Sequence, residues 1–93
     1  MPPWVRGLIW NRWNEEHIAR HGVVPDEVEE VCFGSSWVGR LEPDGKRPVL
    51  GQTYEGRYLS IILAQREAGR FYPVSARDMT LPERRRFQRW QGR

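Results

Sequence analysis

Residues 71–87 read FYPVSARDMTLPERRRF. Phe71 to Ala76 has the composition of a β-strand. Four residues later, Thr80-Leu81-Pro82-Glu83 forms a capping box with a proline in the first helical turn, so a helix is expected from Leu81 to about Trp90. Phe87 and Trp90 lie three apart and mark its buried stripe, with Leu81 or Arg84 completing that face. A strand feeding such a helix implies that the helix lies across the sheet, which is an α+β arrangement. Pro73 has no amide proton, so the strand there either lies at an edge or carries a bulge. The run Arg84-Arg85-Arg86 is either a solvated helix face or a cationic track for an anion.

Working back from this stretch, turn signals recur about every dozen residues, as an antiparallel meander requires. Strand patterns run over Ser36–Leu41, Pro48–Tyr54, Tyr58–Gln65 and Phe71–Ala76. They are separated by Pro43-Asp44-Gly45, Glu55-Gly56 and Ala68-Gly69. Tyr58–Gln65 is richest in Leu and Ile and is expected at the centre. Further upstream, Gly7–Trp10 suits a short first strand, and Asn11 is the N-cap of a helix over Arg12–Arg20. Gly22 is expected to close that helix in the left-handed conformation. Pro25, Asp26 and Glu27 then open a second helix whose buried stripe is Val28, Val31 and Cys32. Trp10, Trp13 and Trp90 are expected in the core, and Trp37 is expected to be exposed. The prediction is one domain over residues 1–93. It has two N-terminal helices, a sheet of about four antiparallel strands with a short N-terminal strand besides, and a C-terminal helix.

The totals fit that picture. A chain of 93 residues with five Trp can form one modest core, burying roughly 60–70% of its unfolded surface. The single cysteine, Cys32, cannot form an internal disulfide and reads as a buried small hydrophobe, consistent with a reducing cytoplasm. No apolar run approaches the ~20 residues of a membrane span, and the N-terminus lacks a secretory apolar centre. The net charge of +3 is unevenly spread. Residues 1–56 hold six basic and nine acidic side chains, and residues 57–93 hold nine basic and three acidic. The C-terminal half therefore suits an anionic partner, nucleic acid first among them. Nearly all the cations are arginine, which donates in pairs to phosphate and stacks on bases.

The chain also resembles a known family, the BrnT-like ribonuclease toxins of type II toxin–antitoxin pairs. The residues that carry the likeness run in order over residues 8–90. They are Ile9-Trp10-Asn11 and Arg20-His21-Gly22-Val23, then the acidic helix Asp26 to Val31, then Gly51 and Gly56. The strand ending at Arg66 follows, then Ser75-Ala76-Arg77, and finally Glu83-Arg84. The chain departs from the family pattern at Arg20, Tyr72-Pro73-Val74, Phe87 and Gly45-Lys46. The resemblance implies a small cytoplasmic bacterial protein with a fold similar to RelE-type toxins. It would cleave RNA without a metal or other cofactor and be silenced by a cognate antitoxin of the ribbon-helix-helix type. It leaves open a homodimer, and also a form that keeps the shape and binds RNA or a protein without cutting.

Metal-independent RNA cleavage needs a base for the 2′-hydroxyl, an acid for the leaving oxygen and cations on the phosphate. The candidates for that chemistry are Arg66, Arg77, His21 and Glu83. Arg84, Arg85 and Tyr72 are candidates for holding RNA. Arg66 and Arg77, at the ends of neighbouring strands, are expected to converge on one phosphate with Arg84 or Arg85 nearby. The structural alternative for Arg77 is an ion pair with Glu83 or Asp78. His21 is either a proton-transfer group or a helix-end residue bonded to backbone. His17 and His21 have a metal-binding i, i+4 spacing, but no third ligand is evident and no metal is expected.

Overall fold

The structure, a computed structural model, describes residues 3–92. It contains β1 (Gly7–Leu8), α1 (Arg12–Ala19), α2 (Pro25–Phe33) and β2 (Ser36–Val38). These are followed by β3 (Lys46–Gln52), β4 (Tyr58–Glu67), β5 (Arg70–Asp78) and α3 (Leu81–Gln91). The strands form one sheet in the order β1-β5-β4-β3-β2. The pairs β2–β3, β3–β4 and β4–β5 are antiparallel, and β1 runs parallel to β5, so the sheet is mixed. β4 lies at its centre, as its apolar sequence predicts.

Local chemistry sets the boundaries. Asn11 Oδ1 accepts from the Asn14 N–H at 3.1 Å, and Asn14 Oδ1 accepts from the Asn11 N–H at 2.9 Å, a reciprocal cap that starts α1. Gly22 follows α1 with φ +68°, a region only glycine enters without strain. Glu27 accepts from the Val24 N–H at 3.1 Å at the start of α2. At Pro73 the pairing slips: Ile62 faces Ser75 while Leu63 faces Pro73, so Val74 is the extra residue of a β-bulge. β5 also has no strand beside it past Phe71 on its β1 side. The proline therefore sits where its missing donor breaks no ladder bond.

Residues on the two faces of the sheet follow from register. Val49, Ile61 and Ala76 lie side by side and are buried. With Leu59, Leu63 and Phe71 they form the core against Ile18 of α1 and Val28, Val31 and Cys32 of α2. Cys32 is buried as expected, and burial, with Glu29 nearby, pushes its thiol up to about 12. The expectation of three core tryptophans holds only in part: Trp10 packs half-buried against this core, Trp90 is half-buried on Phe87 of α3 outside it, and Trp13 is 80% exposed and takes no part in it. α1 is short and turns Ile18 and Asn14 inward instead. Asn14 is buried because its side chain is fully used, with Nδ2 donating to the Ile9 carbonyl at 2.9 Å. Trp37 is half-buried rather than exposed.

Gly51 of β3 sits beneath α2, where a Cβ would collide with the side chain of Val31. Overpacking of this kind costs roughly 1–3 kcal/mol. Gly51→Ala should lower the unfolding free energy by that amount, read in a urea titration as a lower midpoint at constant slope. An unchanged midpoint would mean that α2 rides less tightly on the sheet.

Candidate nucleic-acid interface

The opposite face of the sheet carries Leu50, Ser60 and Arg77 side by side. α3 lies across this face. Its Phe87 is buried and meets Tyr58 edge-on at 6.0 Å, and Trp90 stacks on Phe87 at 5.7 Å. The charge imbalance of the sequence becomes a difference between the two layers that cover the sheet. α1 and α2 carry Glu15, Glu16, Asp26, Glu27, Glu29 and Glu30 against the single arginine Arg12, while α3 carries Arg84, Arg85, Arg86 and Arg89 against the single acid Glu83.

The strand-to-helix junction is closed by a bidentate pair. Arg77 Nη1 donates to Glu83 Oε1 at 2.8 Å and Nη2 donates to Oε2 at 3.1 Å. The Thr80 N–H donates to Oε1 at 2.8 Å and the Ser60 hydroxyl to Oε2 at 3.2 Å. Thr80 Oγ1 accepts from the Glu83 N–H at 3.3 Å, completing the capping box expected from the sequence. The Arg77 bonds and the Thr80 cap outweigh burial and bring the Glu83 carboxyl down to about 2. Arg77 is raised, chiefly by the same bonds. Glu83 is thus held ionised, with both carboxylate oxygens engaged by Arg77 and by Thr80 or Ser60.

The expected convergence of Arg66 and Arg77 does not occur. Arg77 faces Ser60 near the start of β4, whereas Arg66 lies six residues further along that strand, roughly 20 Å away at 3.3 Å per residue. β5 runs back along β4, so the end of one strand lies beside the beginning of the other. Arg66 lies over the ring of Tyr72 at 4.8 Å, and the Tyr72 hydroxyl donates to Asn11 Oδ1 at 3.2 Å. Arg84 lies over Tyr58 at 4.2 Å and Arg86 over Trp37 at 5.4 Å. Tyr58, Tyr72 and Trp37 all belong to the α3 side by register. Arg85 is exposed and makes no ion pair among the described residues. Arg77 and Glu83 therefore come together at the start of α3, which also carries Arg84 over Tyr58 and the exposed Arg85, with Arg66 and Tyr72 as a separate pair.

His21 occupies the turn between α1 and α2 and is exposed, its ring 6.5 Å from that of His17. It lies at the same end of the sheet as Arg77 but on the other face. Its neighbour there is Asp78, whose carboxyl is lowered mainly by its bond from Arg57, with His21 a lesser influence. Among the described residues, no three His, Cys, Asp or Glu side chains gather as a metal would require. No described helix is long and apolar enough to cross a membrane. A hollow of about 310 Å³ lies beside α3, lined by Pro82, Glu83, Arg86 and Arg89. A larger one, about 490 Å³, lies at the β4–β5 turn between Arg6 and Arg70, away from the Arg77 pair.

By sequence, the chain matches no protein-family profile and no curated protein. By structure, it is similar to the 1.1 Å crystal structure of the Brucella abortus ribonuclease toxin BrnT. The match has a TM-score of 0.62 and 18% identity and covers 80% of this chain and 96% of that one. The chain has a BrnT-like fold. Three helices and a five-stranded mixed sheet make it α+β, as the sequence resemblance implies.

Sequence reasoning missed one residue that holds this BrnT-like fold together. Arg57 Nε donates to Asp78 Oδ1 at 2.8 Å, Nη1 to the Gly22 carbonyl at 2.7 Å and to Glu27 Oε1 at 3.2 Å, and Nη2 to the His21 carbonyl at 2.9 Å. It ties the α1–α2 turn to the sheet and takes the backbone oxygen, not the imidazole, of His21. Its position straight after the Gly56 turn was the only signal available.

The Glu83 pair has a pH signature. Its carboxyl titrates near 2 in the fold against an ordinary 4.5. A depressed carboxyl stabilises fully above its ordinary value, and that contribution drains away as pH falls from about 4.5 toward 2. Thermal melts across pH 7 to 2.5 should show a shallower acid decline in Glu83→Gln than in the unmutated protein. Parallel curves would show that the pair contributes nothing.

Proposed function

We propose that this chain is a ribonuclease of the toxin type that engages RNA on its α3 side. The observation that carries the reading is the concentration of Arg84, Arg85, Arg86 and Arg89 on α3, unpaired by acids among the described residues, in a fold similar to that of a ribonuclease toxin. Arginine donates in forks to phosphate oxygens, and a guanidinium lying on an aromatic ring has part of its freedom already removed. In this reading Arg84 and Arg85 hold the phosphodiester and Arg77 fixes the field at the helix start. The 2′-hydroxyl attacks the adjacent phosphorus, its proton passes to a base, and the 5′-oxygen leaves with a proton from an acid. His21, at the same end of the sheet on its other face, is the proton-transfer candidate, and it would act on a phosphodiester lying at that edge within hydrogen-bond reach of its ring. The protein would work in the cytoplasm without a cofactor, held silent by a ribbon-helix-helix antitoxin.

A second reading rests on a specific observation. The Arg77 fork is already filled by Glu83, which suits a module that binds RNA or a protein without cutting.

The test is cleavage of labelled single-stranded RNA by the purified protein in EDTA. Cleavage should occur, and His21→Ala should slow it by about 10²-fold or more. Arg84→Ala and Arg85→Ala should each weaken RNA binding and lower the salt slope by about one. Intact RNA at every concentration of folded protein would remove the nuclease reading and leave the second.

A further inference from the structure

The pair that the fold separates from Arg77 has the makings of a site of its own. Arg66 is exposed, stands over Tyr72 with its guanidinium carbon 4.8 Å from the ring centre, and has no carboxylate partner among the described residues. Glu67, its neighbour, is paired with Arg70 at 3.2 Å instead. Tyr72 is held in turn by Asn11, whose Oδ1 accepts from both the Tyr72 hydroxyl and the Asn14 N–H. That fixes the Asn11 amide with its oxygen inward. Its Nδ2 donates to no group among the described residues.

We infer that Arg66, Tyr72 and Asn11 form a base-stacking subsite for single-stranded RNA, distinct from the phosphate-holding end at α3. This rests on the RNA reading given above. A guanidinium backed by an aromatic ring offers its outer face to a second flat π-system, and a nucleobase is the flat group that a polyanion brings with it. The free amide protons of Asn11 suit the carbonyl oxygens on a base edge. The sheet between the two ends, at Ile62, Ala64 and Ser75, is only half-buried and carries no charge, so a strand can lie along it. Tyr72 faces Ala64, four residues along β4 from the Ser60 that faces Arg77. That is about 13 Å, or roughly four nucleotides at a stacked rise of 3.4 Å. The base held here is therefore several nucleotides from any phosphate at α3.

The test uses 2′-O-methyl oligouridine of twelve nucleotides, which cannot be cleaved through the 2′-oxygen, and an abasic strand of the same length and charge. Fluorescence anisotropy gives both affinities. The unmutated protein should prefer the uridine strand by about tenfold, the size expected of one base stack. Arg66→Ala should abolish that preference and leave abasic binding nearly unchanged. Arg66→Lys, which keeps the charge and loses the plane, should behave the same way. A lysine variant with full preference, or equal losses on both strands, would make Arg66 a plain phosphate contact and overturn the proposal. Retained preference in Arg66→Ala would overturn it as well. If the unmutated protein binds neither strand, the RNA reading itself fails. Arg66 is exposed, so both variants should melt with the unmutated protein.

Discussion

A guanidinium near the end of β5 and a carboxylate in the first turn of α3 join the two parts of the cationic side. The Arg77–Glu83 pair stands out because α3 is otherwise poorly supported. An isolated helix of this length is marginal in water, and among its own residues only Phe87 is fully buried. Arg84, Arg85 and Arg86 also sit in its first half, near the positive end of the helix dipole, where cations are unfavourable. Glu83 opposes all of this at once. It caps the helix, places a negative charge at the right end, and anchors that end to the sheet through Arg77. The arginine cluster is thus held where helix physics alone would not keep it, by the fork together with the burial of Phe87 against Tyr58.

The second organising feature is the sheet as a wall between unlike layers. Acids collect on α1 and α2, and arginines on α3 and the strand residues it faces. The net charge is small, so this separation rather than the total governs how the molecule meets a polyanion. Such a field favours approach of a polyanion to the α3 side over the side covered by α1 and α2. Arg57 is the exception that proves useful. It crosses to the acidic layer, where Asp78 and Glu27 neutralise it, and so serves the fold rather than the interface.

What the sequence showed clearly was local. The Asn11 cap, the Thr80–Glu83 box, the turn at Gly22 and the irregularity at Pro73 each depend on residues a few positions apart, and each took the expected form. Ion pairing of Arg77 with Glu83, one of two alternatives in the sequence, is also a short-range contact. The long-range placements were not legible in the same way. Arg57 draws its partners from residues 21, 22, 27 and 78, which only the folded chain assembles. Trp13 looked like core because α1 has few apolar residues, and a short helix gives periodicity too few turns to identify the inward face. The slot it was assigned is served by Asn14, a polar residue whose burial depends on bonds to Asn11 and Ile9. The separation of Arg66 from Arg77 was implicit in the antiparallel reading, since neighbouring strands of a meander end at opposite edges. Similarity in chain position along two strands is not proximity.

The filled fork at Arg77 limits what that guanidinium can offer to the phosphate of the proposed RNA reading. Glu83 meets Arg77 with the same two-oxygen geometry that a phosphate would use, and it does so from within the chain, at an effective concentration that a dilute ligand does not match. Displacing it would also unseat the cap of α3 and leave a half-buried carboxylate without its partner. On the proposed RNA reading, the guanidinium groups free to meet a phosphate are those without a carboxylate partner among the described residues, on α3 and at Arg66. Arg77 acts by keeping α3 in position. On the proposed reading, the helix face supplies the electrostatic work, and the Glu83 carboxylate beside these arginines is engaged by Arg77, Thr80 and Ser60.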